Sequence, residues 1–308
     1  NVALSGNSTN LAAALANSSN YSGAVTIDNN DYTLAELVTI NAGTSGAITL
    51  TNTGAALSGT VANYKLAFAG TVTTHTGTNL ITDPDNTEIT ATDITFINTE
   101  SSGAITVQNN IDIRGTGAEV AAAVGQIDTV TDTPTAYLNN TANYTAAQLQ
   151  TINNKIGGAI VLQDDSVALS GTSTELAEGF AGTVTAHTGT LAITNVGVGN
   201  DYTVDELQTI NNASSGTITF TTHYALSSTS TKLAEALANS NNYSGAVTIT
   251  NADYTLDQLV TINNGTSGAI TLDTPRAGLS GTSTNLALAL AGTINLSGSI
   301  TVSINDYT

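Results

Sequence analysis

The feature that most constrains this chain is that it repeats itself. One unit, seen in full as DYTLDQLVTINNGTSGAITL at 253–272, aligns five times with no gap between its threonine and its glycine: Thr33 to Gly46, Thr90 to Gly103, Thr145 to Gly158, Thr203 to Gly216 and Thr255 to Gly268. These copies occupy 33–50, 90–107, 145–162, 203–220 and 255–272, and a sixth opens at Asp306-Tyr307-Thr308. Between them lies a second unit, LSGTSTELAEGFAG from Leu169, with six copies anchored at Leu4, Leu57, Ile113, Leu169, Leu226 and Leu279. Successive anchors stand 53 to 57 residues apart, so each unit is a coil of roughly 25 residues. A coil that short cannot bury its apolar side alone; only stacking against its neighbours can.

Each coil predicts a helix followed by a strand. Seven and eleven residues beyond each anchor stand apolar side chains, such as Leu11 and Leu15 or Leu176 and Phe180, the i, i+4 spacing of one helix face. In the other unit a capping box opens the helix at Thr33 and Glu36, Thr145 and Gln148, Thr203 and Glu206, and Thr255 and Gln258, with a weaker pair at Thr90 and Asp93. The glycine at its far end is expected to release the helix into the strand. Strands then alternate at period two, as in Val25 and Ile27 against Ala24 and Thr26. Parallel strands joined by right-handed helical crossovers give an α/β fold, a parallel β/α solenoid with one continuous sheet. The architecture is like that of leucine-rich repeats without their signature, and an all-β parallel helix is the alternative.

Composition narrows the function. Five Lys and Arg against 24 Asp and Glu leave a formal net charge of −19, which argues against nucleic acid and anionic membranes as partners. The cations Lys65, Arg114, Lys155, Lys232 and Arg276 are scattered singly. There is no cysteine, hence no disulfide, thiolate metal site or thiol nucleophile, and no apolar run long enough to span a bilayer.

Three sets of residues stand out as candidate sites. The outward sheet face is expected to carry a lattice of Thr26, Thr49, Thr106, Thr194, Thr219, Thr248, Thr271 and Thr301, suited to ordering water or ice, to packing laterally or to binding carbohydrate, or simply to exposed strand chemistry. Turn carboxylates at Asp28, Asp31, Asp83, Asp85, Asp164, Asp165, Asp201 and Asp253 could ligate calcium, or serve as Asx turns before helices. His75 and His187 fill the slot that Tyr21 and Tyr243 fill elsewhere, which points to packing at a repeat corner rather than to a metal. If a catalytic site exists, the irregular stretches 82–92 and 109–143 would hold it, with Asp83, Asp85, Glu88, Asp112, Arg114, Glu119, Asp128 and Asp132. Their drifted repeats favour no enzyme at all.

The phrases VALSGTSTELAEGFAGTVTAHTG at 167–189 and DYTLDQLVTINNGTSGAITL at 253–272 resemble repeat segments of very large bacterial cell-surface proteins, particularly those of cyanobacteria. The resemblance implies secretion, an extracellular or cell-surface location and a structural or adhesive scaffold role without catalytic residues. Its partners would be further repeats of the same chain, copies of itself or cell-surface glycans. Neither end of the sequence carries a polar cap, so the chain is expected to be a segment of a longer array.

Overall fold

A computed structural model describes residues 2–18, 20–197, 201–273, 278–292, 294–295 and 299–303. Arg276 and the sixth Asp-Tyr-Thr, with Asp306, lie outside these described residues. The chain divides into two compact units, residues 1–142 with 151–163 and residues 143–150 with 164–308.

In chain order the first unit contains β1 (Leu4–Gly6), α1 (Ser8–Leu15), β2 (Val25–Ile27), α2 (Leu34–Gly43), β3 (Ile48–Leu50), β4 (Leu57–Gly59), α3 (Val61–Ala67), β5 (Asn79–Ile81), β6 (Glu88–Thr90), α4 (Ala91–Glu100), β7 (Ile105–Val107), β8 (Asp112–Gly115), α5 (Gly117–Gln126), β9 (Thr129–Val130) and β10 (Thr135–Leu138). The division falls within α6 (Ala146–Lys155), after which β11 (Ile160–Leu162) completes the first unit. The second unit continues with β12 (Leu169–Gly171), α7 (Ser173–Gly179), β13 (Leu191–Ile193), α8 (Val204–Ala213), β14 (Ile218–Phe220), β15 (Leu226–Ser228), α9 (Ser230–Leu237), β16 (Val247–Ile249), α10 (Leu256–Gly265), β17 (Ile270–Leu272), β18 (Gly278–Gly281), α11 (Ser283–Ala289), β19 (Ile294–Asn295) and β20 (Ser299–Val302). The fold is therefore mixed α/β, and its eleven described helices exclude the all-β alternative.

The helices form where capping and periodicity place them. Thr33, Thr203 and Thr255 each accept from the backbone three residues on, and Glu36, Glu206 and Gln258 reach back to close the box. Thr145 and Gln148 do the same at 3.0 and 3.2 Å. Thr90 caps α4, but Asp93 has a side chain one methylene shorter and pairs instead with Lys65 Nζ at 2.7 Å. Two boxes went unforeseen, Thr116 with Glu119 and Thr172 with Glu175, in the helices of the second kind of unit. The i, i+4 pairs are buried: Leu11 and Leu15, Tyr64 and Phe68, Val120 and Val124, Leu176 and Phe180, and Leu233 and Leu237 all lie at 5% exposure or less. Within the first unit α1 to α5 pack in succession, as do α7 to α11 within the second.

All strand pairings are parallel, yet the expected continuous sheet is absent. The described strands form six short sheets: β1-β2-β3, β4-β5-β7-β9, β6-β8-β10-β11, β12-β13-β14, β15-β16-β17-β19 and β18-β20. The cause is a mismatch of coil lengths. Paired strands lie 21 residues apart where Leu4 meets Val25 and at most 27 where Leu191 meets Ile218. Successive helices begin at least 26 residues apart, as at Ser8 and Leu34, and as much as 31 apart at Ser173 and Val204. The ladder thus lags the helix row by a few residues per coil, and a fresh strand can start in the gap just before the next helix. That strand is the Leu-Ser-Gly type anchor, which opens the sheets at β1, β4, β12, β15 and β18; Glu88–Thr90 opens the remaining one.

The repeating glycine has a different task from the one its position suggests. Gly46, Gly103, Gly216 and Gly268 do not have positive φ, and the C-caps that precede them are extended residues such as Thr44 and Ser214. A Cβ on Gly46 would meet the carbonyl oxygen of Gly23, on Gly103 that of Gly77, on Gly216 that of Gly189, and on Gly268 that of Gly245. Adjacent coils touch backbone to backbone there, which no side chain permits. Among the described residues the left-handed glycines are instead Gly70 (φ 87°) and Gly182 (φ 73°), just beyond α3 and α7, and Gly197 (φ 98°).

Candidate functional site on the irregular sheet

The threonines do not form one lattice. Thr26 pairs with Thr49 and Thr248 with Thr271, but Thr106 lies between Leu80 and Thr129, Thr219 pairs with Ala192, and Thr301 with Ser280. Thr194 falls one residue beyond β13. The pairs belong to separate short sheets, so the array expected on a continuous sheet is broken.

The aspartates are dispersed: among the described residues no three His, Asp or Glu side chains converge as a metal site would need. Asp83 is buried, and its Oδ2 accepts from the Val61 amide at 2.8 Å, at the first turn of α3. That slot is held elsewhere by Asn29, Asn195 and Asn251, each accepting from a serine amide (Ser8, Ser173, Ser230) and donating Nδ2 to the same serine's Oγ. Where the serine becomes Val61 no hydroxyl remains to accept, and a carboxylate replaces the amide. Burial pushes the Asp83 carboxyl up from its ordinary value, against the pull of the Val61 amide. Asp164 Oδ1 accepts from Ser166 Oγ and N at 2.6 and 3.0 Å, and these bonds hold its carboxyl below the ordinary range. Asp165 accepts from Thr188 Oγ1, Asp85 from the Asn110 amide, and Asp31 and Asp253 from Asn29 and Asn251 two residues before them. Asp28 and Asp201 are exposed at their turns.

The corner slot holds planar side chains that cross to the preceding coil. Tyr21 Oη donates to Val2 O, His75 Nε2 to Ala55 O at 2.7 Å, His187 Nε2 to Val167 O at 2.8 Å, and Tyr243 Oη to Tyr224 O. A carbonyl only accepts, so both imidazoles carry their proton on Nε2 and leave Nδ1 to accept from a hydroxyl. Ser101 stands 3.2 Å from Nδ1 of His75, and Ser214 stands 3.5 Å from that of His187. Opposite the tyrosines the same position is threonine, and Thr44 and Thr266 donate instead to Gly23 O and Gly245 O. Burial lowers the pKa of both histidines, partly opposed by their carbonyl partners. His223, outside this slot, accepts from the Ser244 amide and is exposed.

The irregular stretch does bring functional side chains together, on β6-β8-β10-β11. In register, Glu88 lies beside Asp112, which lies beside Thr135; one row on, Thr90, Arg114, Tyr137 and Val161 follow one another across the sheet. Arg114 Nη2 meets Glu88 Oε1 at 2.9 Å and Asp112 Oδ2 at 3.4 Å, while its Cζ sits 3.9 Å above the Tyr137 ring centroid. A cavity of about 380 Å³ opens there, lined by Arg114, Tyr137, Leu138, Asn139, Val161 and Gln163. Of the residues marked in the sequence, Glu88, Asp112 and Arg114 meet in this cluster and Arg114 alone lines the cavity; Asp83, Asp85, Glu119, Asp128 and Asp132 belong to neither. Glu119 closes a capping box, and Asp128 Oδ2 accepts from the Ile105 amide. Tyr137 was missed; its signal was an aromatic at a strand position that other copies fill with Thr26, Leu80, Ala192 or Thr248.

The class of protein defined so far is an α/β repeat protein, with one side-chain cluster where its repeats diverge. No protein-family model, no curated protein and no solved structure matches the chain.

Proposed function

We propose that this protein is a structural or adhesive extracellular scaffold, a parallel β/α solenoid with no catalytic activity. The observation that carries the reading is that coil-to-coil hydrogen bonds recur at the same slots copy after copy: asparagine to serine at the helix starts, the planar corner residue to a carbonyl, the capping glutamate to the preceding helix. A chain whose polar side chains hold one coil to the next makes a spacer of additive stability. Its charge of −19 favours solubility and disfavours nucleic acid. The chain's own copies or surface glycans stand as its partners. Antibodies against the chain should label intact cells of its source; labelling only after permeabilisation would remove the extracellular reading.

A further inference from the structure

We propose that the outward face of β6-β8-β10-β11 binds a neutral saccharide, with the Tyr137 ring as platform and Asn139 and Gln163 as the polar rim. A sugar ring has an apolar C–H face and an edge of hydroxyls, so it is recognised by a flat apolar surface ringed by amide and carboxylate groups. The sheet offers both parts. Tyr137 stands in register between Arg114 and Val161, and the cavity at this row is walled by those residues with Leu138, Asn139 and Gln163. The charge balance selects the ligand. Arg114 is already offset by Glu88 and Asp112 and stacked on Tyr137, so an anion finds no spare cation here. A cation would have to displace Arg114 from both carboxylates. A neutral polyol needs neither exchange: the guanidinium, fixed by Glu88 and Asp112, holds the ring in place, and the Asn139 and Gln163 side-chain amides that line the cavity meet the hydroxyls. Pre-organisation of this kind reduces the ordering cost of binding.

The site deepens the glycan-partner part of the scaffold reading, but it rests on one sheet and not on where the chain resides, so its failure leaves the extracellular reading to the labelling test. The test is saturation-transfer NMR and titration of the full chain with cello-, xylo-, manno- and chito-oligosaccharides, with tetramethylammonium and oligogalacturonate as charged probes. At least one neutral oligosaccharide should bind. Tyr137→Ala should weaken it by about tenfold or more, and Tyr137→Phe should retain it, since stacking needs the ring and not the hydroxyl. Should Tyr137→Ala disturb the fold, seen as a lowered Tm, Gln163→Ala at an exposed position should still weaken binding several-fold. Silence toward every neutral probe, binding unchanged in both alanine variants, or preference for either charged probe would overturn the proposal.

Discussion

At the scale of single residues the chain contains its own record of which side chains work together. Tyrosine at the corner slot goes with threonine in the next coil (Tyr21 with Thr44, Tyr243 with Thr266), and histidine goes with serine (His75 with Ser101, His187 with Ser214). Imidazole offers Nδ1 to a hydroxyl, whereas a phenol ring offers nothing at that edge and the hydroxyl turns to a glycine carbonyl. We expect His187→Tyr and Ser214→Thr each to destabilise the fold by about 1 kcal/mol, and the double variant to recover most of the loss, a coupling read from urea unfolding. Titration should follow the same residues. Burial depresses the pKa of His75 and His187 in the folded state, so the unfolded chain binds the extra protons. Their contribution is complete above the unfolded value, about pH 6.5, and is lost as pH falls below it. The urea midpoint should therefore drop between about pH 7 and 5, before most carboxylates titrate, and drop less when both histidines are tyrosine and their serines threonine. A midpoint flat over that window would contradict the assignment.

At the scale of elements the helix start is the joint. Glu36 closes its own capping box and also accepts from Ser8 Oγ at 2.9 Å and Thr9 Oγ1 at 2.7 Å on the preceding helix. Partial burial works against its charge, but the bonds from Thr33, Thr9 and Ser8 together hold its carboxyl below the ordinary value. Glu206 repeats the contacts with Ser173 and Thr174, and Gln258 accepts from Ser230 and donates to Thr231. Glu119 closes a box on Thr116. Glu36→Ala should accordingly cost more than Glu119→Ala, by roughly 1 kcal/mol beyond the ~1 kcal/mol of a lost cap, in thermal melts of the two variants. The outer helix face shows the same matching: Gln150 donates to Glu178 and Gln208 to Glu235, while the same two slots read Val38 with Leu66, Val260 with Leu288, and Thr95 with Ala122. The helices and most of their caps were legible in the sequence because each signal lies within four residues of itself. Glycine was misread, since what forbids a Cβ at Gly103 is the carbonyl of Gly77, 26 residues earlier. The Tyr137 cluster was half legible: its charged members stood out in a charge-poor chain, but the register that joins them to the ring did not.

At the scale of the whole molecule the repeat is a pair of coils, because a sheet that lags its helices must be restarted, and the Leu-Ser-Gly anchor does so about once per pair. That break in the sheet was not legible, since it arises from the difference between two spacings, neither of which looks irregular alone. The pairing of coils leads to the most direct test of the account. Deleting residues 170–226 joins Leu169 to Ser227 and removes one full period, leaving every anchor in phase. Deleting 173–203 joins Thr172 to Val204 and removes a single coil, so that the wrong helix follows the anchor strand. Circular dichroism and thermal melting of the two variants should show the full-period deletion keeping its helix content per residue and its Tm within about 5 °C, and the one-coil deletion losing cooperative melting. Equal tolerance of both deletions, or collapse of the full-period variant, would contradict a scaffold built from paired coils.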